Sequence, residues 1–439
     1  MKLQTLTSKH ERNFKLQAPC HWSRASLIKV WNFVLLWSLV LGCWCFVSQA
    51  VAQEWLDKVD DALYLQTPDG SARVDLSGTV DLEGYFIHDR APGLIYSDDD
   101  FFNPRLSLFL DARWGKHLYS FVQARVDRGF DPHSEVHDAR FDEYLLRYTP
   151  FNEPWVNLQV GKFATAVGRW VDRHDSWNNP FITAPMPYQR ISTVADVNVA
   201  PTTAAFLARR DIPDKKDIWQ PLVWGPSYTS GASVFGTVEK FDYAFEFKNA
   251  SLSSRPEVWD ATDLGWENPT YGGRLGFRPD AAWNLGASFS RGAYLQPDAR
   301  NTAGFPAGRS LGDFKETTFA GDVSYAWHHL QLWGEAFFTR FQVPHVGDAD
   351  TVAYFIEAKY KITTKLYGAL RWNQELFGNV SDGTGGQTEW DRDSYAIDAA
   401  LGYRFTRHLQ AKIQYSYNHQ NSSLQQGDHL AAAQVTLKF

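Results

Sequence analysis

The chain has 439 residues, of which 44% are hydrophobic, 15% aromatic and 21% charged, with a net charge of −7 and a mean hydropathy of −0.37. So polar an average excludes a polytopic helical membrane protein, which needs several apolar runs of about 20 residues. The acidic balance leaves no electrostatic footprint for nucleic acid, so no nucleic-acid partner is expected. A soluble enzyme and a membrane β-barrel both remain, because a barrel wall is only half apolar.

The first 52 residues have the organisation of an export signal. Six basic residues and one acidic residue precede Val30, an apolar stretch runs on to Val47, and Ala50 and Ala52 form a small-x-small motif. This order predicts a secretory signal peptide over 1–52, cleaved after Ala52. A single transmembrane anchor is the alternative.

Cleavage would leave a mature chain of different character. It would carry 37 basic and 49 acidic residues, a net charge of −12, and none of the three cysteines. Residues 53–72 are predicted to form a short periplasmic segment, since their apolar residues have helical spacing. Without disulfides, stability must come from a hydrogen-bonded framework, and a closed sheet satisfies its backbone groups between strands.

A period of two begins at residue 73. From Val74 to Phe86 the even positions are apolar or glycine, whereas most odd positions are polar or charged. Such alternation is typical of a strand with one apolar and one ionic face. Soluble strands usually span about 5–6 residues, but a tilted membrane strand needs about 9–11. Sixteen such segments over 73–439 predict an all-β, transmembrane antiparallel barrel of about 16 strands.

The connections support the same architecture. Short turns are predicted after even-numbered strands and longer loops after odd-numbered ones, as in outer-membrane barrels. Aromatic residues beside the short turns predict an interfacial girdle: Trp114, Trp155, Phe241, Trp283, Trp327, Tyr360 and Phe405. The chain ends on Phe439 of an alternating strand, which resembles the terminal strand that the barrel-assembly machinery recognises.

The longest connection, residues 166–228, follows the predicted fifth strand. A segment of that length is usually functional. Its position resembles that of the loop after strand 5 in sixteen-stranded porins, which implies that it folds into the lumen and narrows it. Charges of both signs there would set ion preference. The candidate constriction residues are Arg169, Asp172, Arg173, His174, Asp175 and Arg190. The later stretch 209–217 is predicted to be an exposed excursion.

The sequence resembles the phosphate-selective porin O and P family in four features: the signal, the strand count, the Val160–Phe163 step (Val-Gly-Lys-Phe) that ends strand 5, and the terminal Phe439. That resemblance implies a trimeric, anion-preferring channel lined by arginines and lysines. The inward positions depart from that pattern, however, because they include twelve basic and twelve acidic residues. Phosphate selectivity is therefore not expected to carry over. Six of these positions are predicted lumen-wall residues: Arg105, Arg113, Arg125, Arg371, Asp111 and Glu335.

No enzyme is predicted, because no P-loop, dinucleotide fingerprint or metalloprotease motif occurs; no metal and no cofactor are expected. The leading interpretation is a porin of the outer membrane through which small polar solutes diffuse. It is expected to form a homotrimer and to contact outer-membrane lipid and lipopolysaccharide. Two alternatives stay open. One is a solute-specific channel for anions or for oligosaccharides, which inward aromatics would guide: Tyr119, Phe121, Trp333, Phe337 and Tyr367. The other is a plugged barrel with a structural or receptor role.

Overall fold

The structure is a computed structural model that describes residues 58, 62–88, 93–94, 100–129, 138–211, 219–422 and 427–439. The predicted signal peptide and most of 53–61 lie outside the described residues. No helix within the described ranges is long and apolar enough to cross a membrane.

Sixteen antiparallel strands form one closed barrel, which confirms the predicted fold class. We number them β1 to β16 in chain order: β1 (Ala72–Ile87), β2 (Phe101–Trp114), β3 (Leu118–Asp127), β4 (Asp138–Tyr148), β5 (Asn157–Phe163), β6 (Thr229–Val238), β7 (Phe241–Lys248), β8 (Thr270–Phe277), β9 (Trp283–Ala293), β10 (Lys315–Trp327), β11 (Leu330–Val343), β12 (Gly347–Lys361), β13 (Leu366–Phe377), β14 (Ser394–Arg404), β15 (Leu409–Gln420) and β16 (Gly427–Lys438). Each strand pairs with the next one along the chain.

The barrel closes between β1 and β16. Their register runs from Thr79 opposite Lys438 to Ile87 opposite Leu430. Just beyond it, Gly78 and Phe439 exchange two backbone hydrogen bonds of 2.8 and 3.0 Å. A short strand, Tyr64–Gln66, then pairs with β1 where β16 has ended.

The connections alternate less strictly than predicted. Only residues 344–346 separate β11 from β12, because β12 begins at Gly347 and not near residue 351. The two strands thus extend past the expected loop as one long hairpin. At the other end, the turns after β6 and β10 have two residues each, and Glu239 and His328 take the positive φ values (53° and 50°) that tight hairpin turns need.

Polar and apolar faces separate as the period of two requires. Large apolar side chains cover the outside of the barrel, with Leu370 63% exposed. The predicted girdle residues beside the short turns are exposed or half-buried. Charged and amide side chains point inward, and most are buried there by one another or by the loop described next.

Candidate functional site

The connection between β5 and β6, residues 164–228, folds back inside the barrel; we call it the inner loop. The Trp170 N–H donates to Glu335 on β11 (2.6 Å), and the Met186 N–H donates to Asn373 on β13 (3.0 Å). Both acceptors point into the lumen. The loop side chains that are almost fully buried there include Val167, Phe181, Tyr188, Val194, Leu222 and Tyr228. The predicted entry of this loop into the lumen is confirmed.

Two glycines shape the loop entrance. Gly161 has φ +132° and Gly168 has φ +81°, both in the region that favours glycine. A Cβ atom at Gly161 would collide with the Tyr144 carbonyl of β4, and one at Gly168 with the Tyr188 hydroxyl and the Glu335 carboxylate. The glycine of the Val-Gly-Lys-Phe step at the end of β5 therefore has a steric cause, because the neighbouring backbone lies too close for a Cβ atom.

Inward side chains of β7–β15 hold the inner loop, and we call this part of the barrel the loop-bearing wall. The Arg371 guanidinium donates to the carbonyls of Thr183 (3.2 Å) and Ala184 (3.1 Å) and pairs with Asp398 at 2.7 Å. The Lys412 ammonium donates to three loop carbonyls at 2.7–3.1 Å: those of Ser176, Asn179 and Phe181. Basic side chains here act as donors to loop backbone.

Buried carboxylates of the same wall accept from the loop. Besides the Trp170 N–H, Glu335 accepts from the Tyr188 hydroxyl at 2.6 Å, and Glu357 accepts from Arg173 at 2.6 Å. Burial beside Glu335 raises the pKa of Tyr188, so its hydroxyl stays protonated and donates. Because an unpartnered buried polar group costs roughly 1–3 kcal/mol, loop and wall stabilise each other.

Most of the inward face of β1–β4 and β16 lacks this cover, although the Ala164 N–H of the inner loop donates to Glu143 on β4 at 2.7 Å; we call this face the open wall. Three arginines on neighbouring strands form an arginine ladder: Arg105, Arg125 and Arg140. They pair with four buried carboxylates at 2.5–3.1 Å: Asp81, Glu83, Asp127 and Asp142. The arginine side chains are 13–20% exposed, whereas those carboxylates are at most 5% exposed. Guanidinium groups thus lie over the acids, towards the lumen.

A β-bulge in β4 brings an extra carboxylate to the ladder. The register with β3 shifts between Gln123 and Ala124, so that Gln123 faces Glu143 whereas Ala124 faces Phe141. Asp142 is therefore also turned inward, where it lies 3.0 Å from Arg125. Strict alternation predicts only Glu143 at this level and misses Asp142. The run Asp142-Glu143 between apolar neighbours was the available signal.

A cavity of about 440 Å³ separates the open wall from the inner loop. On the wall it is lined by Asp81, Arg105, Phe109, Phe121 and Arg125, and on the loop by residues 174–179. This space is the candidate passage. Its lining combines charges of both signs with aromatic rings, which suits hydrated polar solutes more than a dry apolar ligand.

His174 lines the passage as a neutral side chain. Its Nδ1 lies 2.5 Å from the Val171 carbonyl oxygen, which can only accept, so Nδ1 carries the proton. Its Nε2 then accepts from the Tyr228 hydroxyl at 2.5 Å. Desolvation lowers the pKa of His174 from its ordinary value of 6.5. The loop thus presents no positive charge at this residue near neutral pH.

Comparison with solved structures finds the same fold in bacterial outer-membrane proteins. An anion-selective porin from Comamonas acidovorans has a TM-score of 0.53 at 12% identity, with 84% of this chain and 100% of that chain covered. OmpT of Vibrio cholerae (0.51, 10%, 86% and 100%) and the channel DcaP of Acinetobacter baumannii (0.51, 10%, 85% and 99%) are comparably similar. The fold is that of outer-membrane porins. No protein-family model matches the chain, and no curated protein matches it.

At this level of identity the porin likeness concerns the fold alone. It leaves the finer resemblance to the phosphate-selective O and P family a prediction. Within the described ranges, no group of three or more His, Cys, Asp or Glu side chains is placed to hold a metal ion.

The predicted constriction residues are divided between different surroundings. Arg169 pairs with Asp172 at 2.7 Å, both partly exposed, whereas Arg173 is fixed against Glu357 and over the Trp333 ring. Asp175 accepts from two backbone N–H groups of its own turn. Of the six residues, His174 and Asp175 line the passage.

Arg190, the sixth predicted constriction residue, lies deep against the loop-bearing wall. Its guanidinium donates to the Arg392 carbonyl at 3.0 Å and lies 3.9 Å from Glu375. It is almost fully buried, so it anchors the loop and does not face the passage.

The predicted lumen-wall residues also fall into two groups. Arg105 and Arg125 belong to the arginine ladder, and Asp111 accepts from the Tyr119 hydroxyl nearer the short turns. Arg113 is exposed at the end of β2. Arg371 and Glu335, in contrast, are covered by the inner loop.

The inward aromatics do not form one continuous surface. Phe121 lines the passage, but Trp333 lies under Arg173, Phe337 is buried against Tyr188, and the Tyr367 hydroxyl donates to the Pro180 carbonyl. The predicted stacking path for sugars is therefore not assembled, because the inner loop covers the wall on which most of these rings lie.

The second half of the inner loop is more buried than predicted. A short helix, α1 (Thr203–Leu207), packs Phe206 against Trp390 in an apolar cluster with other long loops. Arg209 donates to the Asn198 carbonyl at 2.7 Å, and Arg210 to the Thr388 hydroxyl at 3.0 Å. These two arginines thus do not belong to an exposed excursion; residues 212–217 lie outside the described residues.

Proposed function

We propose that the protein is a porin through which small polar solutes and ions diffuse passively. The observation that carries the proposal is the 440 Å³ cavity between the arginine ladder and residues 174–179 of the inner loop. A closed barrel with apolar side chains outside and charged side chains inside suits a water-filled pore in a bilayer. The passage follows the open wall, because the inner loop occupies the other side.

We further propose an outer-membrane location, with the short turns on the periplasmic side. The apolar exterior, the aromatic girdle and the export signal of the sequence support it. Phe439, which joins the last strand to Gly78, is the proposed recognition point for the assembly machinery. Lipopolysaccharide contact and a homotrimer complete the proposal, and mobility of unboiled protein on a gel would test the trimer.

The direct test is conductance in a planar bilayer, with reversal potentials measured in asymmetric KCl. Stable ohmic steps of weak selectivity are expected for a general porin, because acids and bases alternate around the passage. The absence of conductance would overturn the proposal in favour of a plugged barrel.

A second candidate is an anion-preferring, solute-specific channel. The partly exposed guanidinium groups that lie over buried carboxylates favour it. A reversal potential that indicates chloride preference, together with saturable block by one solute, would support this candidate over the general porin.

A further inference from the structure

Two aromatic rings lie beside the arginine ladder in the passage. Phe109 on β2 and Phe121 on β3 stack with centroids 6.3 Å apart and an interplanar angle of 17°. Arg125 is directly opposite Ser107, so Phe109 is its diagonal neighbour across the two strands. Such diagonal positions are about 7–8 Å apart. All three side chains line the same cavity.

The ladder also keeps hydrogen-bond donors for a ligand. Arg125 approaches Asp142 through Nε at 3.0 Å, and no described residue accepts a hydrogen bond from its two terminal nitrogens. Arg105 uses Nε for Asp81 and one terminal nitrogen for Glu83, which leaves the other terminal nitrogen. A carboxylate readily accepts hydrogen bonds from the terminal guanidinium nitrogens of an arginine. Such charge-assisted hydrogen bonds are stronger than hydrogen bonds between neutral groups.

We infer that the passage contains a binding site for small organic anions that carry a carboxylate on a flat apolar ring. The carboxylate accepts from Arg125, and the ring packs against Phe109 and Phe121. The cavity volume lies within the range of small-molecule sites, about 300–1,000 Å³. This inference rests on the proposed channel function and names a solute class for it.

The same geometry argues against other solutes. Inorganic phosphate could accept from the arginines but would gain nothing from the rings. A neutral aromatic solute would gain the ring contact but leave the Arg125 donors to water. Oligosaccharides need a longer run of rings, and the inner loop covers Trp333 and Phe337.

The test measures inhibition of single-channel chloride current by benzoate, benzyl alcohol and inorganic phosphate at constant ionic strength. Benzoate is expected to reach half-maximal inhibition at a concentration about tenfold below that of either comparison solute, since it alone uses both ring and carboxylate contacts. Equal inhibition by benzoate and phosphate would overturn the inference. A chain that conducts no ions would instead overturn the proposed function.

Variants locate the site. Arg125→Gln and Phe109→Leu should each remove most of the preference for benzoate, bringing its half-maximal concentration close to that of phosphate. Arg147→Gln is the matched control: Arg147 lies on the same wall, but it donates to Gln159 and lies over the rings of Tyr119 and Phe235. If Arg147→Gln weakens benzoate inhibition as much as Arg125→Gln, the proposed site is wrong. Unchanged heat-modifiable mobility on gels would show that each variant still folds.

Discussion

The loop-bearing wall and the open wall contain similar inward residues but use them differently. On the loop-bearing wall, Arg371 and Lys412 donate to carbonyl groups of the inner loop. On the open wall, Arg105 and Arg125 pair with carboxylates of neighbouring strands and keep part of each guanidinium in the lumen. An inward charged residue therefore holds the inner loop where the loop lies against it, and lines the passage where the loop does not.

This difference explains why a balanced count of inward charges does not describe the passage. Lys412 and Arg371 contribute to the count, but the loop covers them. A solute meets only the open wall and the facing part of the loop. Selectivity should therefore depend on few residues, while stability should depend on the residues that hold the loop.

The largest expected effect follows from removing the loop surface that faces the open wall. Deletion of residues 170–185 should raise single-channel conductance by at least about twofold, because this segment narrows the lumen. Deletion of 382–386 in the exposed hairpin after β13 is the control and should leave conductance unchanged. Unchanged conductance after the first deletion would place the passage elsewhere.

Single substitutions should separate the two walls by stability. Arg371→Ala leaves the buried carboxylate of Asp398 without its charged partner, although Glu357 keeps Arg173, and should lower the free energy of unfolding by roughly 3–5 kcal/mol. Arg125→Gln, on the arginine ladder, should cost no more than about 1 kcal/mol, because the buried Asp142 keeps its ion pair with Arg140. Urea unfolding of the two variants in detergent provides the comparison, and equal losses would contradict the distinction between the walls.

A smaller effect is expected at the loop entrance. Gly168→Ala would bring a Cβ against Tyr188 and Glu335 in a left-handed backbone, and should lower the free energy of unfolding by about 1–3 kcal/mol. Gly115→Ala is the matched control, since Gly115 has φ +64° with open space around it. A loss at Gly115 as large as at Gly168 would mean that backbone strain alone, and not loop packing, sets the effect.

The smallest effect is a pH dependence at His174. Because its pKa is lowered in the folded protein, the unfolded chain binds more protons below about pH 6.5, and stability should fall as the pH drops through that value. The free energy of unfolding should change by at most about 1.4 kcal/mol per pH unit, and this change should stop once the pH is below the lowered pKa of His174. Unfolding of His174→Gln at pH 7.5 and 5.0 should show a shallower dependence than the unsubstituted protein; an identical slope would assign the titration to other groups.

Much of the fold was predictable because alternation along a strand follows directly from its geometry. The sixteen strands and the inward path of the loop after β5 were both predicted. The β4 bulge and the extended β11–β12 hairpin were not, because each breaks the alternation or turn pattern locally.

The division of the lumen was harder to predict than the barrel. Arg371 is kept from solutes by contacts with loop residues more than a hundred positions away in the sequence. Arg125 faces the passage, and its contacts are with an adjacent strand. Strand periodicity contains no information on such contacts. Arg190, with no neighbouring motif to set it apart from Arg173, illustrates the same limit.

The central claim, that solutes pass along the open wall, is tested most directly by cysteine modification during current recording. Ser77→Cys lines the passage, whereas Ser288→Cys lies on the loop-bearing wall beside the Gly168 N–H. In a chain that begins at residue 53 and so lacks the native cysteines, a cationic thiosulfonate should reduce the current of Ser77→Cys and leave that of Ser288→Cys unchanged. The reverse pattern would contradict the account.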